Sequence, residues 1–238
     1  MTEEDSTLPP DPELVNRETR KSALVFKRVG AASILLGILA FVFILTAPII
    51  ISSPKNLTRT EAINNAKQIG LALFTFQYEY DSYPNEDTAK DIIKNHPIYR
   101  KDLSGTSSNA LLLQLVVNSR NDRSEEMFYA RIKNAIKPDG NSSPREALKK
   151  GEVGFAYISN LILADNSSRP IILTPMIPGT TKFDPKPFKG KAIVLHINNS
   201  VTTYDINKDG HIYDKDGDIL SPNHPFWNGK TPTIHYPE

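Results

Sequence analysis

The chain has 238 residues, no cysteine, and 28 basic against 27 acidic side chains, for a net charge of +1. Zero cysteine excludes disulfides, thiolate zinc sites and a cysteine nucleophile. Bases scattered among acids exclude a nucleic-acid-binding stripe, so no nucleic-acid partner is expected.

Residues 1–28 carry six acids, five bases and three prolines around one short apolar run at 23–26. That is too little apolar surface for a core, and it predicts a disordered tail. Residues 29–51, VGAASILLGILAFVFILTAPIII, are 23 residues without a charge. As a helix the run is about 34 Å long, against about 30 Å of hydrocarbon, so it predicts a transmembrane helix with the lipid bilayer as its partner. Arg17, Arg20, Lys21, Lys27 and Arg28 precede it, and only Lys55 and Arg59 follow closely. The positive-inside rule therefore places the tail in the cytoplasm and residues 52–238 outside.

The exported part is long enough for its own core. A capping box at Thr58–Glu61 predicts a helix over 58–80. Its apolar stripe is Ala62, Ala66, Ile69, Leu73, Phe76 and Tyr80, with Asn64, Gln68, Thr75 and Glu79 opposite. Such a stripe is expected to pack on the domain's own sheet. Helices follow at 86–95, stopped by Pro97, and at 107–118, whose run ALLLQLVV predicts burial. The polar segment 134–150 reads as a surface loop with a helical turn near 145–149. Short alternating or apolar runs at 153–159, 170–174, 191–197 and 201–206 predict strands. Asn198-Asn199 and Asp209-Gly210 suit tight turns. The proline-rich stretch 175–190 reads as a stiff loop, and 221–238 as a strap along the sheet edge. Helices first and antiparallel strands later predict an α+β head.

Chemistry is sparse. Asp205-Ile-Asn207-Lys-Asp209-Gly210 matches the opening of a calcium loop, with Asp216 at the twelfth position. Calcium takes hard oxygens, and a spacing of two brings alternate side chains round one centre. A plain hairpin turn ringed by polar side chains satisfies the same pattern. His96, His196, His211, His224 and His235 show no HxH or HExxH spacing. No phosphate-binding loop or nucleophile elbow is present, so no catalytic residue is assigned.

Several segments carry a family resemblance in order along the chain: EAINNAKQIGLALFTFQYEYDSYP (61–84), SEEMFY (124–129), GEVGFAYI (151–158), the block 170–201, INKDG (206–210) and SPNHPFW (221–227). Together they resemble a bacterial group of type IV pilin-like, or type II secretion pseudopilin-like, membrane proteins. The resemblance implies a transmembrane helix leading to a head whose amphipathic helix packs on an antiparallel sheet. It also implies an inner-membrane location, a non-enzymatic structural or interaction role, and self-association or contact with other envelope proteins. Some relatives hold calcium in a C-terminal loop. The sequence departs from the prepilin pattern at Gly30, where Ala31-Ala-Ser-Ile-Leu35 puts Leu35 in place of the glutamate. Two alternatives stay open: a pilus or pseudopilus subunit cut between Gly30 and Ala31, and an anchored hydrolase or glycan-binding module. In the latter, the proline-rich loop and Phe226-Trp227 would line a groove.

Overall fold

A computed structural model describes residues 54–118, 124–141, 143–162 and 166–238. The tail and the apolar run 29–51 lie outside the described residues, and so does their predicted helix. Among the described residues no helix is long and apolar enough to cross a membrane. Residues 54–238 form one compact unit of α+β class.

Helix α1 spans Pro54–Tyr80. Its predicted stripe is the buried one: Ala62, Ala66, Ile69, Leu73 and Phe76 are at most 2 % exposed, and Tyr80 is partly buried. Each of the larger side chains contributes about 2 kcal/mol by leaving water. The predicted start is wrong. The chain is already helical at Pro54, where a missing N–H costs nothing in the first turn. Thr58 therefore lies a turn inside the helix and is not its cap. The far side of α1 is polar as expected, but Leu57, Leu71, Phe74 and Tyr78 also stand exposed along it.

Helix α2, Glu86–Asn95, opens on a side-chain cap. Asn85 Oδ1 accepts from the N–H groups of Asp87 and Thr88 at 2.8 and 3.0 Å, and the Asn85 N–H donates to Thr88 Oγ1 at 2.9 Å. A 3-10 turn, Pro97–Tyr99, and the single-turn α3, Arg100–Leu103, follow. Helix α4, Ser108–Val117, is capped by Ser107 and buried from Ser108 to Val116. That burial includes Gln114, a polar side chain that needs partners. It has them in the α2 cap: Thr88 Oγ1 donates to Gln114 Oε1 at 2.6 Å, and Gln114 Nε2 donates to the Asn85 carbonyl at 3.0 Å.

The sheet has five strands in the order β4-β3-β2-β1-β7, antiparallel throughout. These are β1 (Ala156–Ile158), β2 (Pro170–Thr174), β3 (Lys191–His196), β4 (Val201–Asp205) and β7 (Ile234–His235). The strap at the C-terminus thus contributes a two-residue edge strand. A small separate hairpin pairs β5 (Tyr213–Asp214) with β6 (Gly217–Asp218). Side chains alternate between faces of a strand, so β1 and β2, buried at every position, are covered on both sides. Helix α1 packs on β3 and α4 on β1. The irregular segments contribute Phe183, Phe188, Ile212, Ile219, Leu220 and Trp227 to the same core.

Between α4 and β1 the expectation covers only 134–150, as a surface loop with a helical turn. The described residues ahead of it include a 3-10 turn, Glu125–Phe128, that docks on α1. Asn65 Nδ2 donates to the carbonyls of Glu126 and Tyr129 at 3.0 and 2.9 Å. Residues 144–148 form turns, with Ala147 and Leu148 buried rather than on the surface.

Candidate functional site

The predicted calcium ligands occupy two places. Asp205 ends β4, where its strand partner is Lys191, and its exposed carboxylate takes the Lys191 ammonium at 2.5 Å. Asn207 begins the next turn. Its Oδ1 accepts from the N–H groups of Asp209 and His211 at 3.0 and 2.8 Å, and its carbonyl accepts from the Gly210 N–H at 3.1 Å. Gly210 has φ +88, a conformation that favours glycine, and so closes the turn. The amide oxygen of Asn207 is thus already engaged by backbone donors. Asp209 is exposed.

Asp216 gathers instead with Asp214 and His224, one ligand atom from each lying within 4.8 Å of the others. Among the described residues Asp205, Asp209 and Asp216 do not form such a group. The imidazole of His224 is buried. The Phe226 N–H donates to its Nδ1 at 3.2 Å, so the ring proton sits on Nε2 and is donated to Asp214 Oδ1 at 3.0 Å. The same oxygen accepts from the Asp216 N–H at 2.8 Å. Both imidazole nitrogens are therefore committed, and a metal on His224 requires one of these bonds to break. The arrangement holds the β5–β6 hairpin to the 221–229 turn. Phe226 stacks obliquely on His224 with centroids 4.1 Å apart.

Burial alone raises the Asp214 pKa. The hydrogen bonds from His224, Asp216 and Gly217 outweigh it, and the net value is lowered from the ordinary 3.8. A lowered folded pKa supplies stability above the unfolded value and loses it as pH falls through the folded one. Asp214→Asn is therefore expected to cost about 2 kcal/mol at neutral pH, the scale of hydrogen bonds to a charged group. The difference from wild type should shrink steadily in melts taken from pH 5 down to about pH 2, well below the ordinary aspartate range. An undiminished difference in acid would show that shape, not charge, sets the cost.

Three of the other histidines are likewise held by the fold. His196 Nδ1 meets the Ser168 carbonyl at 2.6 Å, His211 Nδ1 meets Asp218 at 2.7 Å, and His235 bridges the Thr106 carbonyl and Ser159 at 2.6 and 2.7 Å. His96 is exposed beside Tyr99. The proline-rich loop and Trp227 line separate clefts. Pro175 to Pro178 border one of about 500 Å3, and Trp227 borders another of about 470 Å3 beside Arg169 and Pro232. Trp227 itself is 5 % exposed, and its Nε1 donates to the Ile219 carbonyl at 2.8 Å.

A second acidic group has no counterpart in any sequence motif. Glu125, Asp139 and Glu152 also bring one oxygen each within 4.8 Å of the others. The trace in the sequence is Glu125 and Glu152, each set beside apolar residues in SEEMFY and GEVGFAYI.

Comparison of the chain with protein-family models, with curated proteins and with solved structures finds no match.

Proposed function

We propose that this chain is a non-enzymatic, single-pass membrane protein of the type IV pilin-like kind. In this reading residues 29–51 span a bacterial inner membrane, the tail stays in the cytoplasm, and the α+β head acts outside it in a structural or interaction role. The observation that carries the reading is the uncharged 23-residue run with its basic N-terminal flank. A long amphipathic helix that starts soon after the run and lays its buried stripe on an antiparallel sheet agrees with the pilin-like part. Four exposed apolar side chains along α1 agree with an interaction role, being surface that partners tend to cover. The committed hydrogen bonds of His196, His224 and His235 agree with structural rather than catalytic histidines.

The test is extraction of native membranes with alkaline carbonate. The full chain should stay in the pellet, and a chain lacking 29–51 should not. Release of the full chain with peripheral proteins would overturn the anchor.

A further inference from the structure

We infer that Glu125, Asp139 and Glu152 form a calcium site that fastens the 139–152 loop to the turn against α1. Two of these carboxylates are inside the protein: Glu125 is 0 % exposed and Glu152 4 %. Backbone donors hold one oxygen of each. Glu125 Oε1 accepts from the N–H groups of Gly140 and Asn141 at 2.6 and 3.1 Å, and Glu152 Oε2 accepts from the Lys149 N–H at 2.7 Å. Glu125 Oε2 is buried with no hydrogen-bond partner, a costly state for a carboxylate oxygen in a native fold.

The third carboxylate lies at the mouth. Asp139 Oδ1 accepts from the Asn141 N–H at 2.9 Å, and Asp139 Oδ2 from Lys149 Nζ at 3.2 Å. Lys149 also pairs with Glu146 at 3.0 Å, so its charge is shared outward. Among the described residues neither Glu125 nor Glu152 forms an ion pair. Three negative groups this close repel unless something positive lies between them. A divalent cation between them offsets two of the three negative charges and gives Oε2 a partner. The set is all hard oxygen, which selects calcium or magnesium over softer metals. Ligand oxygens up to 4.8 Å apart suit calcium, whose ligands stand about 2.3–2.6 Å from the ion, with no demand for a regular octahedron. The site is distinct from the turn at Asp205 to Asp209.

Thermal melting of the full chain in detergent, first stripped with chelator and then titrated with calcium chloride, tests this. Calcium at about a hundred times its dissociation constant should raise the midpoint by roughly 9 °C. Glu125→Gln should abolish the shift while folding normally, since its amide can donate where Oε2 has no partner. If that variant does not fold, Asp139→Asn, at an exposed position, should abolish the shift instead. Asp209→Asn and Asp216→Asn should keep it. No shift at millimolar calcium overturns the site. So does a shift that survives Glu125→Gln but disappears in Asp209→Asn, which would put the ion in the other turn.

Discussion

Replacing Gly154 by alanine is expected to lower the stability of the head by about 3 kcal/mol, or roughly 10 °C in melting midpoint. Gly154 runs against Ala130 so closely that an added Cβ would lie 2.4 Å from the Ala130 nitrogen and 2.6 Å from its carbonyl oxygen. These are backbone atoms and cannot rotate away. They are also held in place: the Gly154 N–H donates to the Phe128 carbonyl at 2.9 Å, and Thr174 Oγ1 donates to the Gly154 carbonyl at 2.7 Å. Making room for one methyl therefore moves the strand region, the 125–129 turn or both. Gly70 supplies the contrast. An added Cβ there would lie 1.9 Å from Asn199 Oδ1, but that atom ends a side chain that can turn aside. Alanine also gains about 1 kcal/mol of helix propensity over glycine. Gly70→Ala should be much milder, and equal costs at the two positions would contradict the packing described here.

Trp227→Ala should cost about 4 kcal/mol, as aromatic truncations in a core do. The indole is the keystone of the C-terminal strap. It donates to the Ile219 carbonyl at 2.8 Å, meets Phe226 edge-on at 6.5 Å, and carries the Arg169 guanidinium 5.8 Å above its ring. Truncation removes the packing and strands a carbonyl beside Leu220 in the interior. Trp227→Phe should recover most of the packing but not the hydrogen bond. A stacking platform for glycans would behave differently, since an exposed ring can be removed with little change in midpoint. A midpoint within 1 °C of wild type, together with loss of sugar binding, would favour the groove reading.

The parts of the fold that were legible in the sequence are those specified locally. Helix α2 matches its predicted 86–95 span because Asn85 and Thr88 form a cap within four residues. Strand β2 matches 170–174 because its apolar run is bounded by a proline and a polar loop. The buried stripe of α1 follows from spacing alone. The start of α1 differs from the expected Thr58 because Thr-x-x-Glu satisfies the capping pattern anywhere in a chain, including inside a helix. Hairpin β5–β6 and edge strand β7 have two residues each and depend on their partners, so no periodicity announces them.

The acidic sites divide the same way. Asp205 to Asp209 stood out because the residues are adjacent, yet the structure engages Asn207 with backbone donors and Asp205 with Lys191. Glu125 and Glu152 are separated by most of the loop that joins α4 to β1. The docking of the 125–129 turn on Asn65 and the return of the chain at 151–154 help bring them together. His224 meets Asp214 across a turn that no pairing rule describes.

The proposed permanent anchor, with the head outside, is tested most directly by the intact mass and N-terminal sequence of the chain recovered from carbonate-washed native membranes. A permanently anchored chain retains residues 2–28 ahead of the apolar run. A chain beginning at Ala31 would contradict it and make the protein a processed filament subunit; absence from the washed membranes would remove the anchor itself.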